Sequence, residues 1–211
     1  GIASFLRWRD WGPGKIPVFF TLLAYIALAE RNISARYLLD FLLFIFFAIV
    51  QSALGYVVND WGDRKIDRLH GKKNAFDHHP GSAGLLRLSL LACIALLSGL
   101  PFVLRPIFLP LWAGWIFITC AYSLKPLRLK ERGIWGLGVS SLAQWTLPML
   151  IAFSAMERFG HGDMAVFAIA NSISGATLEI AHQRHDRTKD LSTGTETFGA
   201  RVVPKKLDRL Y

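Results

Sequence analysis

Carboxylates gather at two places along this chain, at spacings that suit cation chemistry. The first run reads Asn59-Asp60-Trp61-Gly62-Asp63-Arg64-Lys65-Ile66-Asp67. Residues four apart on a helix share a face, so a continuing helix lines up Asn59, Asp63 and Asp67, with Asp60 beside the stripe. Like charges at that spacing repel unless a cation sits among them. Mg²⁺ takes hard oxygen ligands and is commonly shared between a few carboxylates and a substrate phosphate. The second run holds Glu179, His182, Gln183, His185, Asp186 and Asp190, followed by Gly194 and Thr197. Asp186 and Asp190 repeat the four-residue spacing. The competing reading is a solvated acidic helix end, locally paired in the first run by Arg64, Lys65 and Arg68. Placement directly after long apolar segments favours metal and diphosphate binding.

Glu179, His182 and His185 invite a zinc reading, but they fall at i, i+3 and i+6, which is a poor helical face. His182 or Gln183 is expected to contact substrate or to satisfy a backbone group. Cys93 and Cys120 lie within apolar segments, away from any second thiol, and read as small core residues.

Between the two runs lies Tyr122-Ser123-Leu124-Lys125-Pro126-Leu127-Arg128-Leu129-Lys130-Glu131-Arg132-Gly133. A departing diphosphate gains negative charge as its C–O bond breaks, and fixed cations stabilise that charge. Arginine makes bidentate phosphate contacts and lysine acts as a point charge. Lys125, Arg128 and Lys130 are the candidates. The bland alternative is headgroup-binding charge at a membrane surface.

The elements that must position these groups are membrane helices. The 211 residues are 53% hydrophobic and 18% charged, with the apolar residues in long blocks. Six blocks, near 16–34, 38–58, 85–104, 107–124, 134–153 and 164–182, approach the roughly 20 residues that a spanning helix needs. The expected fold is all-α, a multi-spanning transmembrane bundle around a central cavity. A soluble helical protein would have too little polar surface for six such blocks. Of 24 Lys and Arg, nineteen fall in the N-terminal segment, the 59–84 and 125–133 connections and the tail after His182. Four, Arg31, Arg36, Arg105 and Arg158, fall on the opposite side. This bias places both carboxylate runs on the cytoplasmic face. It also accounts for the net charge of +9 without a nucleic-acid partner. Arg7, Arg9 and Lys15 before an apolar run, with Ala27-Leu28-Ala29, imitate a signal peptide. Cleavage there would orphan the topology.

In this order, Asn59-Asp60-x-x-Asp63-x-x-x-Asp67, Tyr122-Ser123-x-x-Pro126-Leu127-Arg128-Leu129-Lys130 and Asp186-x-x-x-Asp190-x-x-x-Gly194 resemble the UbiA superfamily of membrane prenyltransferases. The resemblance runs from about Arg7 to Thr197. It implies a bundle of about nine transmembrane helices and Mg²⁺-dependent prenyl transfer from a polyprenyl diphosphate to an acceptor, most commonly an aromatic quinone precursor. Carried over, Asn59, Asp60, Asp63, Asp67, Asp186 and Asp190 are metal and diphosphate ligands. Asp63, Asp67, Asp186 and Asp190 carry the chemistry. Lys125, Arg128 and Lys130 steady the leaving group, and Tyr122 and Gln183 face substrate. Tyr122, Trp115 or Trp145 would hold the allylic cation. Two departures stand out. Lys72 to His79 replaces the family's Lys-Arg-x-Arg-Pro stretch. Residues 1–211 hold about six helices of one such domain and about three expected C-terminal ones are lacking, as in a fragment, a partly determined chain, or a shortened homologue whose cavity wall a homo-oligomer completes. The implied location is a bacterial cytoplasmic or an organelle membrane. The rivals are a terpene cyclase on the same scaffold and a polytopic transporter, for which the helices hold few mid-membrane charges.

Overall fold

The computed structural model describes residues 1–78, 81–194 and 197–202, apart from the side chains of Lys189 and Thr193. His79 and the basic tail beyond residue 202 lie outside the described residues. A single turn, α1 (Ile2–Phe5), leads into α2 (Trp8–Ala29), α3 (Ala35–Leu69) and α4 (Ser82–Gly99), which runs on as a 3₁₀ turn to Phe102. Then come α5 (Phe108–Ser123), a 3₁₀ turn at Leu129–Glu131, and α6 (Ile134–Ser141). One π-helical turn, Leu142–Thr146, joins α6 to α7 (Leu147–Ala155), and α8 (Gly162–Thr193) and α9 (Phe198–Arg201) follow. All six expected apolar blocks are therefore helical. Five rods are long and apolar enough to cross a bilayer: α2, α3, α4 with its extension, α6–α7 and α8. α5 has 16 residues, about 24 Å at 1.5 Å per residue, against a hydrocarbon core of about 30 Å.

Two helices overrun the membrane, and both overruns carry carboxylates. α3 has 35 residues, about 52 Å of helix. It starts where Ser34 caps it by accepting from the Tyr37 N–H at 3.2 Å. Its regular continuation to Leu69 keeps Asn59, Asp63 and Asp67 on one stripe. α8 has 32 residues and stops at Gly194, whose φ of 66° suits a helix-ending glycine. The glycine closing the second motif is thus the stop signal of the helix that presents Asp186 and Asp190.

Antiparallel packing returns the start of α2 and the ends of α3, α5 and α8 to the same end of the bundle. In the opposite half, Phe44, Phe47, Phe102, Phe108 and Trp112 pack with ring centroids 5.5 to 6.3 Å apart. Edge-to-face and tilted contacts of this kind are favoured by ring quadrupoles. Outward-facing Leu42 and Phe46 of α3, Leu86 and Leu90 of α4, and Val166 and Ile169 of α8 are exposed. Such surface is costly in water and at home against lipid chains.

Candidate active site

The α3 stripe divides between two neighbours. Asn59 and Asp63 face the connection after α5. The Asn59 Oδ1 accepts from Ser123 Oγ at 3.3 Å and from Lys130 Nζ at 3.1 Å. The Arg128 guanidinium donates to Asp63 Oδ1 at 2.9 Å, and the Lys130 ammonium pairs with Asp63 Oδ2. Close backbone approach makes this possible. A Cβ on Gly62 would stand 2.5 Å from the Ser123 carbonyl oxygen. With glycine there, the turn packs against α3, and Arg128 also donates to the Gly62 carbonyl at 3.3 Å. Arg128 itself holds a left-handed backbone, φ 39°, a conformation that non-glycine residues adopt rarely and often at functional sites. Arg128 and Lys130 are buried, whereas Lys125 is exposed. Burial pushes the Lys130 ammonium below its ordinary range, and Asp63 partly restores it.

Asp60 turns to the segment after α3, and Asp67, still on the stripe near Asp63, bonds to that segment as well. Asp60 is 3% exposed. Its two carboxylate oxygens accept from one Arg7 guanidinium nitrogen, at 2.9 and 2.8 Å, and Oδ2 also accepts from the Ala75 N–H at 2.8 Å. Asn74 donates to the Asp60 carbonyl and to Asp67 Oδ2, both at 2.8 Å. The segment that departs from the family's basic stretch therefore clamps Asp60, whose oxygens are taken up by protein donors.

On α8, Glu179, Gln183, Asp186 and Asp190 follow a 4-3-4 spacing and share a face. The His182 Nε2 lies 3.4 Å from Asp186 Oδ2, and Asp190 accepts from Thr197 Oγ at 2.8 Å. Burial raises the Asp190 carboxyl above its ordinary range, against the Thr197 bond. Gln183 is buried, donates to Glu179 at 3.1 Å and accepts from the Gly199 N–H at 3.0 Å. It satisfies backbone, the structural half of the expectation for it. His185 is exposed, and Glu179, His182 and His185 do not converge as a zinc site. Cys93 and Cys120 are free thiols, but Cys93 is exposed on the outer face of α4 and Cys120 is half-buried, so Cys93 is not the core residue expected.

Below the carboxylates a cavity of about 230 Å³ runs into the bundle. Asn59, Tyr122, Ser123 and His182 line its polar mouth, and Phe19, Phe44, Phe47, Trp115 and Ile151 its apolar depth. Trp115 and Tyr122, two of the three rings singled out in the sequence, line this cavity. Trp145 lines a separate cavity. Four wall or anchor residues were not expected from the sequence: Arg7, Lys15, Asn74 and Gln144. Lys15 and Arg7 registered there only as topology charges.

Among the described residues no three His, Cys, Asp or Glu side chains form a ready-made metal cage. The donors still suit Mg²⁺, which needs only one or two carboxylates beside substrate oxygens and water. The oxygens of Asn59 and Asp63 already hold a cation, the Lys130 ammonium.

An all-helical membrane bundle with a polar-mouthed, apolar cavity defines the class. The sequence model of the UbiA prenyltransferase family matches residues 18–210, and the chain belongs to that family. No curated protein and no solved structure gives a significant match. Members of this family transfer prenyl groups within membranes, with prenyl diphosphates and acceptors as substrates, and generally depend on a divalent metal.

Proposed function

We propose that this protein transfers a prenyl group from a polyprenyl diphosphate to an acceptor, an aromatic quinone precursor by preference, with Mg²⁺ as cofactor. One observation carries the reading: Arg128 and Lys130 are buried against Asn59 and Asp63 at the mouth of an apolar cavity. Asn59, Asp63 and Asp67 on one wall and Asp186 and Asp190 on the other would hold the metal, and Asp60 anchors the wall through Arg7. Bound there, Mg²⁺ would neutralise the diphosphate and stabilise its departure. Arg128 and Lys130 donate to the same oxygens as charge grows on them. The tail lies along Phe19, Phe44 and Phe47, and that apolar packing excludes water from the ionising carbon. Tyr122 and Trp115 offer ring faces to the positive carbon. The nineteen-to-four charge bias supports a site on the cytoplasmic side of the membrane.

The test uses the purified chain in lipid nanodiscs with prenyl diphosphates of several lengths. Diphosphate release is expected with Mg²⁺, lost on chelation and regained on adding Mg²⁺. Release that ignores the chelator defeats the metal assignment.

A further inference from the structure

Deeper in the cavity lies a polar group that this reading leaves unused. Lys15 of α2 donates to Gln144 Oε1 at 3.3 Å. Gln144 Nε2 donates to Ser140 Oγ at 3.1 Å and to Glu179 Oε2 at 3.4 Å. All four line the cavity. Glu179 is 5% exposed and sits seven residues before Asp186, about 10 Å further into the bundle along α8.

Three features mark this as a place for a ligand. First, Gln144 belongs to the π-helical turn. Such turns re-aim a side chain at the expense of regular bonding and recur at functional sites. The Trp115 indole N–H stabilises the turn by donating to the Ala143 carbonyl at 2.8 Å. Second, the two bonds that join Lys15 to Glu179 through the amide are long, since such bonds usually end near about 3.2 Å. A ligand group can replace them at small loss. Third, Lys15 makes no ion pair among the described residues; besides its bond to Gln144, its ammonium stands over the Tyr56 ring, 5.6 Å from the centroid.

The charges choose the ligand. One ammonium and one carboxylate leave this wall neutral. An anionic group attracted by Lys15 is repelled by Glu179, and a cationic group meets the reverse. A hydroxyl suits both, because its oxygen accepts from an ammonium while its hydrogen goes to a carboxylate. The surroundings are apolar. A second cavity of about 430 Å³ shares Lys15, Phe19, Gln144 and Pro148 with the first and is lined further by Leu22, Trp145 and Met149.

We propose that Lys15, Gln144 and Glu179 form the acceptor subsite, and that it selects a neutral, lipophilic alcohol or phenol. The proposal rests on the prenyl-transfer reading and adds the chemical class of its second substrate. The test loads the full chain, in nanodiscs with Mg²⁺, with an unreactive farnesyl thiolodiphosphate. Binding of a long-chain 4-alkylphenol is then compared with binding of its methyl ether, which lacks the hydroxyl hydrogen. The unaltered protein prefers the phenol by about tenfold, the value of one net hydrogen bond. Lys15→Met and Glu179→Gln each bring the ratio towards one and leave thiolodiphosphate binding intact, while Lys15→Arg retains the preference. A ratio of one in the unaltered protein, or a preference that survives both variants, overturns the subsite. So does a parallel loss of thiolodiphosphate binding in both variants. If the unaltered protein does not bind the thiolodiphosphate at all, the prenyl-transfer reading itself fails.

Discussion

At one end of the bundle Asp40 accepts from Arg36 at 3.2 Å and from Arg105 at 2.8 Å, and Arg105 also pairs with Glu157. Arg158 bridges Glu30 and Asp163, and Tyr25 donates to Asp163 at 2.7 Å. All four acids of that end have an arginine. At the other end Asp60 and Asp63 also have an arginine, but Asp67 accepts from an amide, Asp190 from a hydroxyl, and Asn59 shares one ammonium with Asp63. The first arrangement is closed: each acid meets an arginine within the protein, and the contacts tie α2, α3 and α8 to the turns before α5 and after α7. The second keeps carboxylate oxygens in bonds that a cation with its own ligands can replace. Similar residue types thus serve cohesion at one end and, in the proposed function, binding at the other.

The sharpest way to break this contrast is to remove one carboxylate at each end. Asp63→Asn keeps the shape and deletes the charge that Arg128 and Lys130 surround. Diphosphate release should fall by about 10²–10³-fold, the usual range for losing a preorganised electrostatic contact. Asp40→Asn should lower the unfolding temperature in detergent and leave the rate unchanged. Equal loss of activity from both would erase the distinction.

Arg7→Met comes next, because it tests whether cohesion is confined to the closed end. Asp60 has a side chain 4% exposed and would keep only the Ala75 N–H. Stranding one partner of a buried pair costs about 3–5 kcal/mol, and thermal unfolding should register it. Release should fall as well, since Asp60 fixes the segment through which Asn74 reaches Asp67. Gly62→Ala should cost less, about 1–3 kcal/mol for an overpacked contact. Its new methyl meets the Ser123 carbonyl and pushes the Arg128 turn outward, so release at low diphosphate concentration should suffer most.

The six helices and the shared end of the carboxylate runs were legible in the sequence, since apolar block length and charge bias depend on composition along the chain. The four-residue spacings also held, because α3 and α8 continue as regular helix through them. The splitting of the α3 stripe was not legible. Asn59 and Asp60 are adjacent in sequence, yet Asn59 meets Lys130 and Asp60 meets Arg7, and nothing local foretells partners 71 and 53 residues away. The three loop cations were equally opaque. A turn of left-handed backbone at Arg128 buries Arg128 and Lys130 and leaves Lys125 outside. Lys15 was hidden for a different reason: a lone cation at the start of an apolar helix looks like topology charge until the π-helical turn places Gln144 beside it.

The smallest effect belongs to the outermost charge of the closed end. The Arg36 side chain is 72% exposed, and Asp40 still accepts from Arg105 without it. An exposed pair contributes about 0–1 kcal/mol because water screens it and ordering the side chain offsets the gain. Arg36→Gln should therefore leave both diphosphate release and the unfolding temperature close to the unaltered protein. Arg105→Gln should not, because Arg105 serves Asp40 and Glu157 at once and is 14% exposed. If the two arginines proved equally dispensable, Asp40 would be held by something other than charge, and the closed end would owe its cohesion to the aromatic packing of Phe44, Phe102 and Phe108 beneath it.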